Sequence, residues 1–372
     1  MLRWHSWIAR SPPKGQVGGS NPLRSAIDLG LIMALTTVIP TKAVGPIRLI
    51  TKEISTDLLV PMATLETPLW ASVNRGARIT RNCGGITATL VQELMTRSIL
   101  LEANNATEAL TMAQQLPSEK NAMHQVVATT SKHARLRDWQ VQLIGRQIYL
   151  RFSFTTGAAA GHNMATKAAE ALQNYLLARY PQLKYVSISG NYCVDKKNSA
   201  VNGILGRGKY VIVDGVISRE LCEQILRVTP DKLVELNIKK NLLGSIVAGS
   251  LRTANAHFAN MLLAVYLATG QDAANIVEGS QGFTTAELQD GALYFAVTLP
   301  NLILGTVGKK HQLPWVNDNL QVINGLKPDD AEFNARLLAE ASAAVVWCGE
   351  LSLLAAQAEP GCLVRSHLAL ER

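Results

Sequence analysis

The chain has 372 residues, 48% of them hydrophobic and 17% charged, and Lys+Arg outnumber Asp+Glu by 36 to 28. That length suits two domains or one large one with a substantial core, and so few charges without like-charged blocks exclude wholesale disorder. A net charge of +8 with only 5% aromatics suits phosphorylated small molecules better than nucleic acid, which a basic-aromatic stripe would mark.

Residues 1–32 carry neither the apolar run of a signal peptide nor a sustained periodicity. Gly19-Ser20-Asn21-Pro22 is the tetrapeptide obtained by translating the T-loop of a transfer-RNA gene, so this segment is expected to be non-native or disordered, with Met33 as the initiator. From Thr37 to Ile50, Pro and Gly punctuation leads into a short strand. "LLVPMATLETPLWASVNRGARIT" (58–80) then gives an apolar segment, a turn holding Glu66, and a helix.

Residues 98–188 read as a compact unit. "ILLEA" is a short strand and "ATEALTMAQQL" has helical spacing. "WQVQLIGRQIYLRFSF" alternates on both sides of Gly145-Arg146, a hairpin signature. "GHNMATKAAEALQNYLLARY" is an amphipathic helix, and "KYVSIS" closes as a strand. The order β-α-β-β-α-β predicts a split βαβ, ferredoxin-like unit. It is expected as a small insertion between two parts of a larger helical and mixed domain, 33–97 and 189–372, in an α+β fold. After Gly190 the pattern is mainly helical with Gly-rich turns, apart from a strand-rich patch at 291–308 and a long helix from about 330 to 358. Its segment "SAAVVWCGELSLLAAQA" is broken by Glu350 and falls short of a membrane span, so it predicts a core helix and no membrane partner.

The cysteines (Cys83, Cys193, Cys222, Cys348 and Cys362) are odd in number and contain no C-x-x-C. Neither a disulfide framework nor a metal site is indicated, and a reducing cytoplasm fits. "SISGNYCVDKK" (187–197) ends an alternating strand in Asp195, Lys196 and Lys197, which taken alone predict a solvated turn. Glu66, Asp272 and His367, each taken alone, predict ordinary surface groups.

Seven segments change that reading: "PMATLETPLWASVNRG", "ISGNYCVDKK", "NIKKNLLGSIVAGS", "NAHFANML", "TGQDAAN", "LILGTVG" and "LVRSHL". In this order and register the chain resembles the 3-hydroxy-3-methylglutaryl-CoA reductases over essentially Met33–Arg372, in the form typical of eukaryotes and archaea. The resemblance implies reduction of hydroxymethylglutaryl-CoA to mevalonate and CoA by two hydride transfers from NADPH, in isoprenoid biosynthesis. It implies Lys196 as the cation that stabilises the carbonyl oxyanion, which suits a fixed positive charge. His367 carries over as the acid that protonates the leaving thiolate, on a C-terminal flap. Asp272 carries over as the carboxylate kept ionised against Lys196, and Glu66 as the proton donor. Ser189, Asn191, Asp195, Lys197, Lys240, His257 and Asn260 carry over to the substrate side, with Lys240 as a cation for its carboxylate. Lys132, Arg135, Gly157, Gly161, Asn163, Gly305 and Gly308 carry over to the cofactor side. A homodimer or dimer of dimers, with active sites between subunits, is also implied.

Some segments depart from the family pattern. Its nucleotide loop GDAMGMNM is "GAAAGHNM" here (157–164): Ala158 replaces an aspartate, and Ala160 and His162 replace methionines. Gly157, Gly161 and Asn163 remain, so close backbone approach to a pyrophosphate at a helix N-terminus is kept. Lys132, in "TSKHARL", keeps a cation for the 2′-phosphate of NADPH. GTVGGGT becomes "GTVGKKH", where Lys309 and Lys310 either clamp a phosphate or obstruct the cofactor. The family's substrate-holding arginine falls on Thr89 in "GGITATL". These departures leave two alternatives open: a reductase for another acyl-CoA or for NADH, and a non-catalytic acyl-CoA-binding protein.

Overall fold

The computed structural model describes residues 37–308 and 313–370, with the side chains of Ser366, His367 and Leu370 outside that description. The expectation for residues 1–32, and Lys309 and Lys310, therefore fall outside the described residues.

The chain enters through β1 (Thr41–Ile50) and β2 (Ser55–Ala63), which pair antiparallel. Helix α1 (Pro68–Asn82) starts with Pro68 at its first position, where no backbone N–H is required, and buries Leu69, Val73 and Ala77 on one face. Then comes β3 (Ile86–Glu102), a 17-residue strand. It is longer than the short "ILLEA" strand expected, because it serves two sheets in succession.

Helices α2 (Ala106–Gln115) and α3 (Lys120–Ala128), the hairpin β4 (Arg135–Ile144) and β5 (Gln147–Thr155), helix α4 (His162–Arg179) and β6 (Lys184–Ser187) follow. The second half of β3, from Met95 to Glu102, pairs antiparallel with β5, and its last residues pair with β6. The resulting order β4-β5-β3-β6, all antiparallel, is the split βαβ arrangement. Helix α4 lies on it through Ala165, Ala168, Ala169, Leu172 and Leu176, a spacing that puts five apolar groups on one face.

The sequence pattern missed β7 (Gly208–Ile217), read there as part of a mainly helical region. It pairs with the first half of β3, Thr87 to Leu94, and with the strand Ala292–Leu302. Helix α5 (Phe258–Ala268), the hairpin β8 (Phe283–Gln289) and β9 (Ala292–Leu302), and helices α6 (Ala331–Ala358) and α7 (Cys362–Leu370) complete the chain. The larger sheet runs β2-β1-β3-β7-β9-β8.

Two apolar cores result. The larger gathers α1, α5 and α6 on the big sheet around Trp347, Phe295, Tyr266 and Phe258; the smaller gathers Phe152, Phe154, Leu172 and Met123. Helix α6 alone is long and apolar enough to cross a membrane among the described residues, and its most apolar window is 94% buried within the protein. Its neighbour α1 comes so close that a Cβ on Gly76 would sit 2.2 Å from the Cys348 carbonyl oxygen. The boundary drawn between residues 97 and 98 falls inside β3, a strand common to both sheets.

Candidate active site

The segment after β6 folds into a tight irregular loop. Asn191, Val194 and Lys196 all take left-handed backbone angles, with φ of 59°, 44° and 56°. Each such residue costs on the order of 1–3 kcal/mol, and a β-branched valine is especially disfavoured there. The surroundings impose the shape. Ser98 Oγ on β3 accepts from the Tyr192 and Cys193 N–H groups at 3.0 and 3.1 Å. Asn202, fully buried, donates to the Val194 carbonyl at 2.9 Å. The Lys196 N–H donates to Glu278 Oε1 at 3.1 Å.

This loop aims Lys196 at Asp272, with Nζ to Oδ2 2.8 Å. The hydrogen bond to Asp272 raises the ammonium pKa above its ordinary value, more than partial desolvation lowers it. Asp272 is itself anchored: its other oxygen accepts from the Ala274 N–H at 3.2 Å, capping the turn that follows. Beneath the pair lies a buried ionic network. Arg207 donates to Glu278 at 2.8 Å and lies 3.0 Å from Asp195, with Arg207 and Glu278 essentially inaccessible. Burial pushes the Glu278 carboxyl up, and Arg207 opposes it.

Lys196 and Asp272 open onto a cleft of about 880 Å³ that also meets Arg97, Gly161, His162, Asn163, Asp195 and Gly308. One wall is the N-terminus of α4, preceded by Gly161 at φ +93°, where a Cβ would strike the Thr156 side chain at 2.6 Å. The loop 158–160 lies directly on Gly305: a Cβ there would be 2.4 Å from the Ala160 nitrogen. Gln271 locks that contact by exchanging two hydrogen bonds with the Gly305 backbone, at 3.0 and 3.1 Å. Free backbone N–H groups at the start of an 18-residue helix, glycines that keep the approach open, and cations on the far wall fit a dinucleotide phosphate.

A second cleft, of about 380 Å³, holds Glu66, His257 and Asn260 together with Arg75 and Ser352, beside Leu363 of α7. Asn260 donates to Glu66 at 2.9 Å. The His257 ring contacts the Gly349 carbonyl through Nε2 at 3.0 Å, and the His257 backbone N–H donates to the fully buried Glu350. Lys240, half-buried on the π-helical stretch Asn237–Gly244, donates to Asn241 at 3.0 Å. Burial lowers its pKa, and Glu350 opposes the shift.

The profile of the hydroxymethylglutaryl-coenzyme A reductase family matches residues 34–372. The 3-hydroxy-3-methylglutaryl-coenzyme A reductase of Pyrococcus abyssi is 41% identical over 337 residues, covering 90% of this chain and 82% of the relative. That of Aeropyrum pernix is 41% identical over 338 residues, covering 90% and 79%. The chain belongs to the hydroxymethylglutaryl-coenzyme A reductase family. The fold is also that of a Streptococcus pneumoniae reductase described as class II and bound to NADPH, with TM-score 0.71 at 18% identity over 90% of this chain and 89% of that one.

Against the family pattern, Lys196, Asp272, Asp195, Gly161, Asn163 and Gly308 meet in the first cleft, while Glu66, His257 and Asn260 meet in the second. Ser189, Asn191 and Lys197 are exposed on the Lys196 loop and its approach. The His367 side chain lies outside the described residues, although its backbone is in α7. Lys132, between α3 and β4, and Arg135, the first residue of β4, are exposed and do not line the Lys196 cleft; His133 lines a neighbouring one with Thr156 and Glu332, and Gly157 also lies beside Glu332.

Thr89 requires a correction. It lies on the half of β3 that belongs to the large sheet, in a groove with Lys52, Arg336 and Glu340, away from Lys196. The arginine on the Lys196 cleft is Arg97, eight residues farther along the same strand, with a buried Nε that has no hydrogen-bond partner among the described residues. The signal in the sequence was the polar run Thr96-Arg97-Ser98 between apolar Leu94-Met95 and Ile99-Leu100. Arg207, Glu278 and Gln271 were also missed, because their roles depend on partners the fold brings to them: Arg207 meets Asp195 and Glu278, and Gln271 meets Gly305.

Proposed function

We propose that this chain reduces 3-hydroxy-3-methylglutaryl-CoA to mevalonate and CoA with NADPH, and that the observation carrying this reading is the Lys196–Asp272 pair on a cleft shared with Arg97 and the N-terminus of α4. NADPH, when bound, supplies the hydrides. Lys196 holds a positive charge where each reduction places negative charge on the carbonyl oxygen. Asp272, ionised, fixes the direction of Nζ and keeps it protonated. Glu66 is the proton donor to the alcohol oxygen, with Asn260 orienting its carboxyl group. His367 protonates the departing CoA thiolate. Arg97 and Lys240 are suited to the acyl carboxylate, and Arg97 removes the main reason for considering another acyl-CoA. Ser189, Asn191, Asp195 and Lys197 shape the loop around the substrate, with His257 backing Glu66.

Gly161 and Asn163 are assigned to the pyrophosphate, with Gly157, Gly305 and Gly308 shaping the loop contacts beside it; Lys132 and Arg135 are assigned to the 2′-phosphate end. The insertion of residues 98–188 as a cofactor-binding unit is supported by their separate core. Separation of Glu66 from Lys196 and Asp272 in two clefts supports a homodimer, or a dimer of dimers, whose sites combine Lys196 and Asp272 of one subunit with Glu66 of the other. Mixing inactive Lys196→Ala with inactive Glu66→Gln should then restore activity; mixtures that stay inactive would place all four groups in one subunit. A cytoplasmic location is proposed from the scattered free cysteines.

The purified protein, supplied with hydroxymethylglutaryl-CoA or other acyl-CoAs and with NADPH or NADH, should consume nicotinamide absorbance fastest with the first of each. No oxidation with any acyl-CoA would leave only the binding-protein reading.

A further inference from the structure

The cofactor wall contains one ionisable side chain to which the reduction assigns no task. His162 is the first residue of α4, and its Nε2 is buried, 3.6 Å from Asp195 Oδ1, with no hydrogen-bond partner among the described residues. Charged groups face the ring from several directions: Asp195 and Lys196 on the loop after β6, Arg207 just before β7, and Asp272 after α5. Burial and Arg207 outweigh the two carboxylates, and the imidazole is pushed down to about 4. The start of a helix presses in the same direction, since its N–H groups present partial positive charge. The ring is therefore neutral near pH 7 in the protein alone.

Negative charge arriving beside the ring opposes these pressures, because a nearby anion favours the charged imidazolium. Two departures from the family loop act together here: Ala158 removes a carboxylate, and His162 adds a group able to become a cation where the family has methionine. A pyrophosphate on the α4 N-terminus would lie next to a buried nitrogen that already lacks a partner.

We propose that His162 is a cofactor-binding residue that takes up a proton as the pyrophosphate of the nicotinamide cofactor docks at Gly161–Asn163, and then serves as its ionic partner. This rests on placing the pyrophosphate there under the proposed function. By linkage, a group with a higher pKa in the complex than in the free protein makes binding tighter as pH falls between the two values. For one proton the limit is about tenfold per pH unit. A thioether at this position has no such dependence.

The test is titration calorimetry of NADP+ binding to the full chain and to His162→Gln and His162→Met. It is run near pH 6, roughly the unperturbed imidazole pKa, in two buffers of different ionisation enthalpy. The unmodified protein should take up a larger fraction of a proton than either variant, and its Kd should rise more steeply with pH. Proton uptake by the 2′-phosphate of NADP+ is common to all three and cancels. Equal proton counts and parallel Kd curves would overturn the proposal while leaving the cofactor placement standing; failure of the unmodified protein to bind NADP+ would sink the placement instead. As a measurement independent of variants, the His162 ring resonance should show a higher pKa with NADP+ than without it. An unchanged pKa overturns the proposal.

Discussion

Asp272→Asn separates the architectural and chemical work of the central ion pair. Asparagine keeps an oxygen to cap the Ala274 N–H, so the turn after residue 272 should survive. Its loss of charge removes the partner of Lys196 Nζ at 2.8 Å, in a pair whose side chains are 39% and 34% exposed. At that exposure solvent screens the attraction, and the stability cost should not exceed about 1 kcal/mol. The catalytic cost is larger, because a lysine free to wander no longer meets the developing oxyanion. A misdirected oxyanion donor typically loses a factor of roughly 10²–10³ in kcat, or about 3–4 kcal/mol. The pH profile carries a sign as well. Asp272 raises the lysine pKa in the folded protein, so the pair's stabilisation is complete below the unfolded lysine value, near about 10.4. It is lost as pH rises through the higher folded value. Asp272→Asn should therefore move the alkaline limb of the kcat profile to lower pH. Steady-state kinetics and urea unfolding on the same preparation test this. A kcat loss under about tenfold, or a parallel loss of stability and activity, would refute the division of roles.

Arg97→Met should raise the KM for the acyl-CoA by roughly ten- to a hundredfold, the worth of a charge-assisted hydrogen bond, while Thr89→Val leaves it unchanged; steady-state KM values for both variants check this. His367→Gln should cripple thioester reduction yet spare reduction of free mevaldehyde, which expels no thiol, whereas Lys196→Ala should abolish both; equal damage by His367→Gln to the two half-reactions would remove its acid role. Trp347, fully buried, donates its indole N–H to the Phe295 carbonyl at 2.9 Å and stacks edge-on against that ring. Trp347→Ala should cost about 3–5 kcal/mol, read as a lower urea midpoint.

Local chemistry alone specified much of this protein. Strict alternation around Gly145-Arg146 gives β4 and β5, the apolar spacing from Ala165 to Leu176 gives α4, and the apolar run to Ala358 gives the buried helix α6. Such patterns are legible because each is set by neighbours a few residues away. The residues that carry over from the family were likewise found in short motifs that keep their order along the chain. The tertiary structure decided what depends on distant partners. Strand β7 alternates from Lys209 to Val213, yet only pairing between β3 and β9 makes it central. Thr89 and Arg97 lie eight residues apart and so point the same way along an ideal strand. They reach different clefts because β3 bulges between Leu90 and Gln92 and then passes from one sheet to the other, Leu94 pairing with Gly208 and Met95 with Phe154. The left-handed turn at Lys196 was equally hidden, since no local preference favours it. It is imposed by Ser98, Asn202 and Glu278, which lie up to 98 positions away in sequence and are adjacent only in the fold.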